Sequence, residues 1–230
     1  MNKVALVVKN KIKLDGLKEL VLSKGFKIVT KNPDFVMSVG GDGTFLISER
    51  KYPSVPKLIL KDSKICKKCV GGTEDTILDL ILQGKYKLED EIKIKAEFNL
   101  TEIIGVNDII IRNKKPNQAV RLDLHVGSEK IHEEVIGDGL VISTPFGSSA
   151  YYKSITGKHF SKGFGIAFNN PTEPHKPILL NEDEELRVKI VRGDLHITAD
   201  NNSKIYTVKE GDWIKITALE HKAKIIKLKL

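Results

Sequence analysis

The sequence predicts an α/β N-terminal domain on a parallel, Rossmann-like sheet, followed by a strand-rich, sandwich-like C-terminal domain, with a site between them. Three observations carry this. The first eighty residues alternate apolar runs with helix-spaced stretches, the pattern of a parallel sheet covered by helices on both faces. From Ile92 onward the segments become short, alternating and turn-bounded, as in a sandwich or barrel. The rhythm changes at Gly84-Lys85 with no long linker and no internal repeat. These place the domains at 1–84 and 85–230.

Taken in order, Val4-Ala5-Leu6-Val7-Val8 is a continuous apolar run, as in a strand buried on both faces. Leu14, Leu17 and Val21 fall at helical spacing over 14–24, and Gly25 ends the helix. Strands follow at 26–30 and 35–39, parted by the turn Asn32-Pro33-Asp34. A short helix over 44–51 closes before Pro53, a strand covers 57–60, and Ile77, Leu78 and Ile81 mark a helix over 73–82. In the second domain strands are predicted at 92–98, 103–111, 119–126, 130–135 and 139–143. Further strands are predicted at 165–168, 178–180, 186–191, 195–199, 204–208, 212–217 and 224–228. One helix, over 149–155, interrupts them.

Composition narrows the function. The chain has 230 residues, 40% apolar and 30% charged, enough for a real core, so disorder is excluded as its main description. No stretch approaches the roughly 20 apolar residues of a membrane span, and the apolar run after Met1 is too short for a secretion signal. A cytoplasmic protein is expected. Basic residues outnumber acidic ones by 38 to 30, but only five are Arg. With aromatics at 6%, this Lys-rich field suits a small polyphosphate better than nucleic acid. Cys66 and Cys69 form a lone C-x-x-C, half of a zinc site with no second half, and are expected as reduced thiols near the surface. The six histidines are scattered without metal-ligand spacing, so no protein metal site is expected.

Three constellations carry the chemistry. Gly40-Gly41-Asp42-Gly43-Thr44 joins a strand to a helix. Its glycines permit close approach of a bulky ligand, and N–H groups at a helix start favour phosphate oxygens. Asp42 beside such a site has a use if it holds a cation, orients a hydroxyl or takes its proton; a plain tight turn is the alternative. Gly137-Asp138-Gly139 opens a second strand that runs into Ser143-Thr144-Pro145-Phe146-Gly147-Ser148-Ser149-Ala150-Tyr151. This stretch offers hydroxyls, free N–H groups and a flat ring, or simply caps a helix. In the third, Asn107-Asp108 interrupts an apolar segment, either to read amide, base or ribose groups or as a turn before a strand.

In this order the three constellations resemble the signatures of the NAD kinase family. The G-G-D-G-T turn is shared with lipid kinases and phosphofructokinases, whereas the run from Ser143 to Tyr151 is far more specific. Gln83-Gly84-Lys85-Tyr86 and Pro174-His175-Lys176-Pro177 extend the likeness. The resemblance implies phosphorylation by ATP of the adenosine-ribose 2′-hydroxyl of NAD, with Mg²⁺ carried on the nucleotide phosphates, by a homodimer or homotetramer. It assigns Asp42 as proton acceptor for that hydroxyl and Gly41, Gly43 and Thr44 to the phosphates. Asn107, Asp108, Asp138, Ser149, Ala150, Tyr151 and Ser154 fall to the dinucleotide. The chain departs from the family at Asp108, where Glu is usual, at Phe146, Ser149 and Thr156, and throughout the loop 61–69. Other readings of the same residues are a lipid or other small-alcohol kinase and a non-catalytic NAD(H)-binding regulator.

Overall fold

The computed structural model describes residues 1–10, 12, 14–62, 66 and 68–229. Contacts divide the chain into two compact units, Met1–Glu91 with Lys222–Leu230, and Ile92–His221. Of the altered loop 61–69, residues 63–65 and 67 lie outside the described residues.

In the first unit the strands are β1 (Lys3–Val8), β2 (Lys27–Ile28), β3 (Phe35–Gly40) and β4 (Lys57–Lys61), with helices α1 (Leu14–Ser23), α2 (Asp42–Lys51) and α3 (Glu74–Leu82). The sheet runs β2-β1-β3-β4 with every pair parallel. The end of the last strand, β16 (Trp213–Leu228), joins its edge in parallel, Ile225 facing Lys57. β3 is buried along its whole length. Phe35, Met37 and Val39 meet Leu17 and Val21 of α1 and Ile77, Leu78 and Ile81 of α3. Its other face carries Val36 and Ser38, and there Ser48 of α2 donates a 3.0 Å hydrogen bond to Ser38. Thr73, whose hydroxyl accepts the Thr76 N–H, caps α3. Helices thus cover both faces, as alternation predicted. The strand expected over 26–30 shrinks to two residues because β2 is an edge strand that meets only β1, at Lys3 and Val4.

The second unit is antiparallel. One sheet, β12-β11-β10-β7-β14-β15, contains β7 (Asp108–Asn113), β10 (Gly139–Ser143), β11 (Phe164–Asn169), β12 (Ile178–Leu180), β14 (Leu195–Ala199) and β15 (Tyr206–Val208). The other strands are β8 (Val120–Val126), β9 (Glu129–Gly137) and β13 (Glu185–Arg192), in the order β16-β13-β8-β9, with β5 (Tyr86–Phe98) and β6 (Thr101–Gly105) as a hairpin. Inward residues of both sets, among them Ile94, Leu122, Val188 and Ile214 against Ile111, Ile142, Ile166 and Ile197, share one core. A single helix, α4 (Tyr151–Thr156), packs Tyr152 on the far side of β10 and β11 against Val141 and Ala167.

Three further segments differ from expectation. The apolar run 103–111 is two strands, because a turn at Val106-Asn107 breaks it. The strands expected at 212–217 and 224–228 are one, β16; its middle, around Glu220-His221, is exposed, so the apolar pattern lapses while the backbone continues. β5 starts at Tyr86, six residues before the predicted strand, where its side chains are still mostly solvated.

Lys57 is fully buried at the start of β4, and its ammonium donates to the buried Glu49 carboxylate of α2 and to the Tyr52 carbonyl. Glu49 also accepts the Ser54 N–H at 2.8 Å. The pair pins the end of α2 to the sheet. Removing one partner strands the other charge, so Glu49→Ala is expected to cost about 3–5 kcal/mol in urea unfolding, whereas a Glu49→Leu, Lys57→Met double variant should recover most of that loss.

Candidate functional site

The candidate residues fall into two sets, one in each unit. In the first unit β3 ends at Gly40 and α2 starts at Asp42. A Cβ on Gly40 would lie 2.1 Å from the Thr44 hydroxyl oxygen, so only glycine lets Thr44 fold back beneath the strand end. Thr44 is accordingly buried, and its side chain builds the turn. The Gly41 carbonyl accepts the N–H groups of Thr44 and Phe45. That leaves Asp42 half-buried and Gly43 exposed at the first turn of the helix, where N–H groups favour anions. The Lys9 N–H donates to the Val39 carbonyl, and Gly40 pairs in register with Lys61. Two lysines therefore stand at the carboxyl ends of the strands flanking the turn, where open α/β sheets bind ligands. Nothing but that placement marks them in the sequence.

Cys66 lies against this turn, its sulfur 3.5 Å from Asp42 Oδ1. The structure corrects the expectation of free thiols: Cys66 and Cys69 are joined by a disulfide, their Cα atoms 5.6 Å apart, well inside the range a bridge needs. A bridged sulfur has no hydrogen to give, so this is a contact and not a donated hydrogen bond.

In the second unit the turn before β7 and the stretch after β10 build each other. Thr144 donates its N–H to the Asn107 carbonyl at 3.1 Å and its hydroxyl to the Val106 carbonyl. Ser143 donates to the Asn107 carbonyl at 3.3 Å. That carbonyl lies 2.0 Å from where a Gly147 Cβ would be, so the glycine is required by close approach. Ser148 is also committed, to the Pro145 and Phe160 carbonyls, and Phe146 is buried. Ser149 and Tyr151 are half-buried, and Ala150 and Ser154 are exposed. Ser154 donates at 2.7 Å to the Tyr151 carbonyl.

Asn107 donates from its amide to Asp108 Oδ2 at 2.9 Å. Asp108 is only 3% exposed. Burial first, and then the charge of Asp200, push its carboxyl up to about 7, against the pull of the Asn107 amide. Asp200 accepts the N–H groups of Val106, Asn107 and Asp108. Sequence reasoning missed it, since it lies over ninety residues away in an ordinary hairpin turn.

Asp138, between β9 and β10, is held by amides from two sides, Asn113 Nδ2 at 3.2 Å and Asn170 Nδ2 at 3.1 Å. The next residue, Gly139, has φ 131° and faces the Ile111 carbonyl so closely that any Cβ is excluded. Asn169, beside Asn170, accepts the Tyr151 hydroxyl at 3.4 Å, so Asp138 and Tyr151 both meet the Asn169-Asn170 end of β11. His175 stacks on Phe168 at 4.7 Å with His132 edge-on to both, a packing role. Among the described residues no three His, Cys, Asp or Glu side chains converge as a metal cage.

With this geometry in hand, residues 106–228 match the ATP-NAD kinase C-terminal domain family. The chain is 25% identical over 211 residues, 85% of its length and 73% of the relative's, to an NAD kinase of Natranaerobius thermophilus. Its fold is similar to the crystal structure of an NAD kinase from Archaeoglobus fulgidus in complex with ATP, with a TM-score of 0.83, 18% identity, and coverage of 99% of this chain and 94% of that one. It is also similar to yeast NADH kinase complexed with NADH, with a TM-score of 0.84, 16% identity, and coverage of 100% and 84%. At these identities the two structures speak for the fold.

Two outcomes follow from the geometry. Asp108 binds its proton more tightly folded than unfolded, so its contribution to stability is complete below its ordinary value of 3.8 and is lost as pH rises through about 7. Melting temperatures of wild type and Asp108→Asn compared from pH 4 to 8 should show the wild type losing ground steadily across that window. The Cys66–Cys69 bridge closes a very short loop, so a Cys66→Ser, Cys69→Ser double variant should lose no more than about 2 kcal/mol in denaturant unfolding.

Proposed function

The chain belongs to the NAD kinase family, and on that premise we propose that it transfers the γ-phosphoryl group of ATP to the 2′-hydroxyl of the adenosine ribose of NAD, giving NADP. The observation that carries the assignment of roles is Asp42: a half-buried carboxylate at the first turn of a helix, on a glycine turn at the carboxyl end of a parallel strand. In this reading Asp42 takes the proton of the ribose hydroxyl. The freed oxygen forms a bond to the γ-phosphorus, the bond to the β-phosphate oxygen breaks, and ADP leaves with that electron pair.

The remaining roles follow from what each group can offer. The N–H groups at the start of α2, with Gly41 and Gly43 allowing close approach, meet phosphate oxygens, and Lys9 and Lys61 add positive charge at the neighbouring strand ends. Thr44 supports this turn from beneath. Asn107 and Asp108 read the dinucleotide's polar edges, and the clamped Asp138 accepts a further hydrogen bond from it. Ser149, Ala150, Tyr151 and Ser154 line the dinucleotide, with the Tyr151 ring as a flat surface. The shorter Asp108, where the family has Glu, sets the ligand's polar group one methylene closer to the backbone.

Asp62, just after β4, donates its N–H to the Gly40 carbonyl at 2.8 Å, so Asp42 and Asp62 bring two carboxylates to the glycine turn, a number that fits Mg²⁺, which takes one or two protein carboxylates and otherwise nucleotide phosphates and water. When bound, the ion neutralises charge that builds on the transferring group. The first unit, with its parallel sheet and two-sided helices, is read as Rossmann-like. A homodimer or homotetramer working in the cytoplasm belongs to the same reading; among the described residues no helix is long and apolar enough to cross a membrane.

The test is a coupled assay with NAD, ATP and Mg²⁺, reading NADP through an NADP-specific dehydrogenase. Loss of a general base is worth roughly 10²- to 10⁴-fold, so Asp42→Asn should lose kcat by that factor while its KM for NAD stays near the wild-type value. An Asn variant with full turnover removes Asp42 from the role.

A further inference from the structure

We propose that Asp200 is a positioning residue for dinucleotide binding: its carboxylate gathers the backbone N–H groups of Val106, Asn107 and Asp108 and so fixes the turn that presents the Asn107 and Asp108 side chains. This rests on the NAD kinase reading above, since the turn has this use only if a dinucleotide meets it.

The bonds are several and convergent. Asp200 Oδ1 accepts from Val106 at 3.0 Å, from Asn107 at 2.7 Å and from Asp108 at 3.2 Å, and Oδ2 accepts again from Val106 at 3.1 Å. The Asp200 N–H in turn donates to the Asp108 carbonyl at 2.9 Å. Hydrogen bonds to an ionised acceptor are roughly twice as strong as neutral ones, and successive N–H groups closing on one anion are a known backbone nest. The residue reaches this place in a left-handed conformation, φ 51°, a region that favours glycine and tolerates Asp. A glycine would be easier for the chain and would supply no carboxylate.

The same turn is held from its other side. Thr144 and Ser143 occupy the carbonyls of Val106 and Asn107, while Asp200 occupies their N–H groups. The donors and the acceptors of one short turn are thus satisfied by two different loops, and the backbone has no alternative partner to relax toward. Only the side chains remain to act. Asn107 places its amide on Asp108, and the pair is oriented before any ligand arrives, which lowers the ordering cost of binding. In register with this turn, β10 sets Ser143 opposite Asp108, and the end of β14 sets Ala199 opposite Ile109. Neither is charged, so the charge that bears on Asp108 is that of Asp200. Burial is the larger cause of the raised Asp108 carboxyl, and the charge of Asp200 adds to it.

Asp200→Asn and Asp200→Ala are the variants, read by equilibrium NAD binding, by steady-state kinetics and by ¹³C titration of the Asp108 carboxyl. Loss of charge-assisted bonds of this kind should raise KM for NAD roughly tenfold in the Ala variant, with kcat changed by no more than about twofold. The Asn variant, which keeps an acceptor and loses the charge, should fall between, with the Asp108 titration moved toward acid. If the Ala variant does not fold, the Asn variant carries the test alone. An Asn variant with wild-type KM and an unmoved titration overturns the proposal. So does an equal fall in kcat and kcat/KM at unchanged KM, accompanied by a lower melting temperature, which is the mark of a general scaffold. A wild-type protein that binds no NAD overturns this proposal together with the kinase reading, whereas unchanged binding in the variants of an active enzyme overturns this one alone.

Discussion

The second unit is organised around the need to satisfy the backbone polar groups of the turn at Val106-Asn107-Asp108. An apolar run enters this turn from β6 and leaves it in β7, and neither strand can extend through it. Buried N–H and C=O groups without partners would cost as much as lost hydrogen bonds. The chain meets that demand with Thr144 and Ser143 from one loop and Asp200 from another. Segments far apart in sequence are thereby tied to a single point. The end of β10, the entry to α4 and the β14–β15 hairpin all take their positions with respect to it.

This arrangement divides each signature stretch into a part that builds and a part that is presented. In Ser143–Ser149 the first three hydroxyls, those of Ser143, Thr144 and Ser148, are spent on carbonyls. Gly147 is spent on the approach of the Asn107 carbonyl. Beyond them Ser149 and Tyr151 are half-buried and Ala150 is exposed. The glycine turn in the first unit follows the same economy of parts: Gly40 and Thr44 fit into one another, and Asp42 with Gly43 faces outward. A motif of small and hydroxyl residues is therefore mostly a device for folding the backbone back on itself.

Much of this was legible in the sequence, and the rest was hidden for identifiable reasons. The alternation of strands and helices before Gly84 was visible because β3 is buried on both faces and its neighbours on one or both. The turn at Asn107-Asp108 showed as two polar residues in an apolar run, which left a turn and a ligand site both open; the structure shows the turn, with Asn107 half-buried and Asp108 buried beside it. The continuity of β16 was hidden because solvated residues in its middle erase the apolar period. Asp200 was hidden because its partners are backbone atoms, which leave no trace in residue type. The Cys66–Cys69 bridge was hidden because spacing alone does not say whether two thiols are joined or apart.

The last strand sets an order on the birth of the molecule. Ile226 is fully buried among Phe35, Met37 and Leu58, and Ile225 pairs with Lys57. These residues close a sheet whose other strands lie within the first sixty-one positions of the chain. During synthesis, which runs from the N-terminus, β1 to β4 emerge well before Ile225 and Ile226, and the β4 edge waits for that distant strand. Until then the edge of β4 offers unpaired backbone groups to any strand that passes.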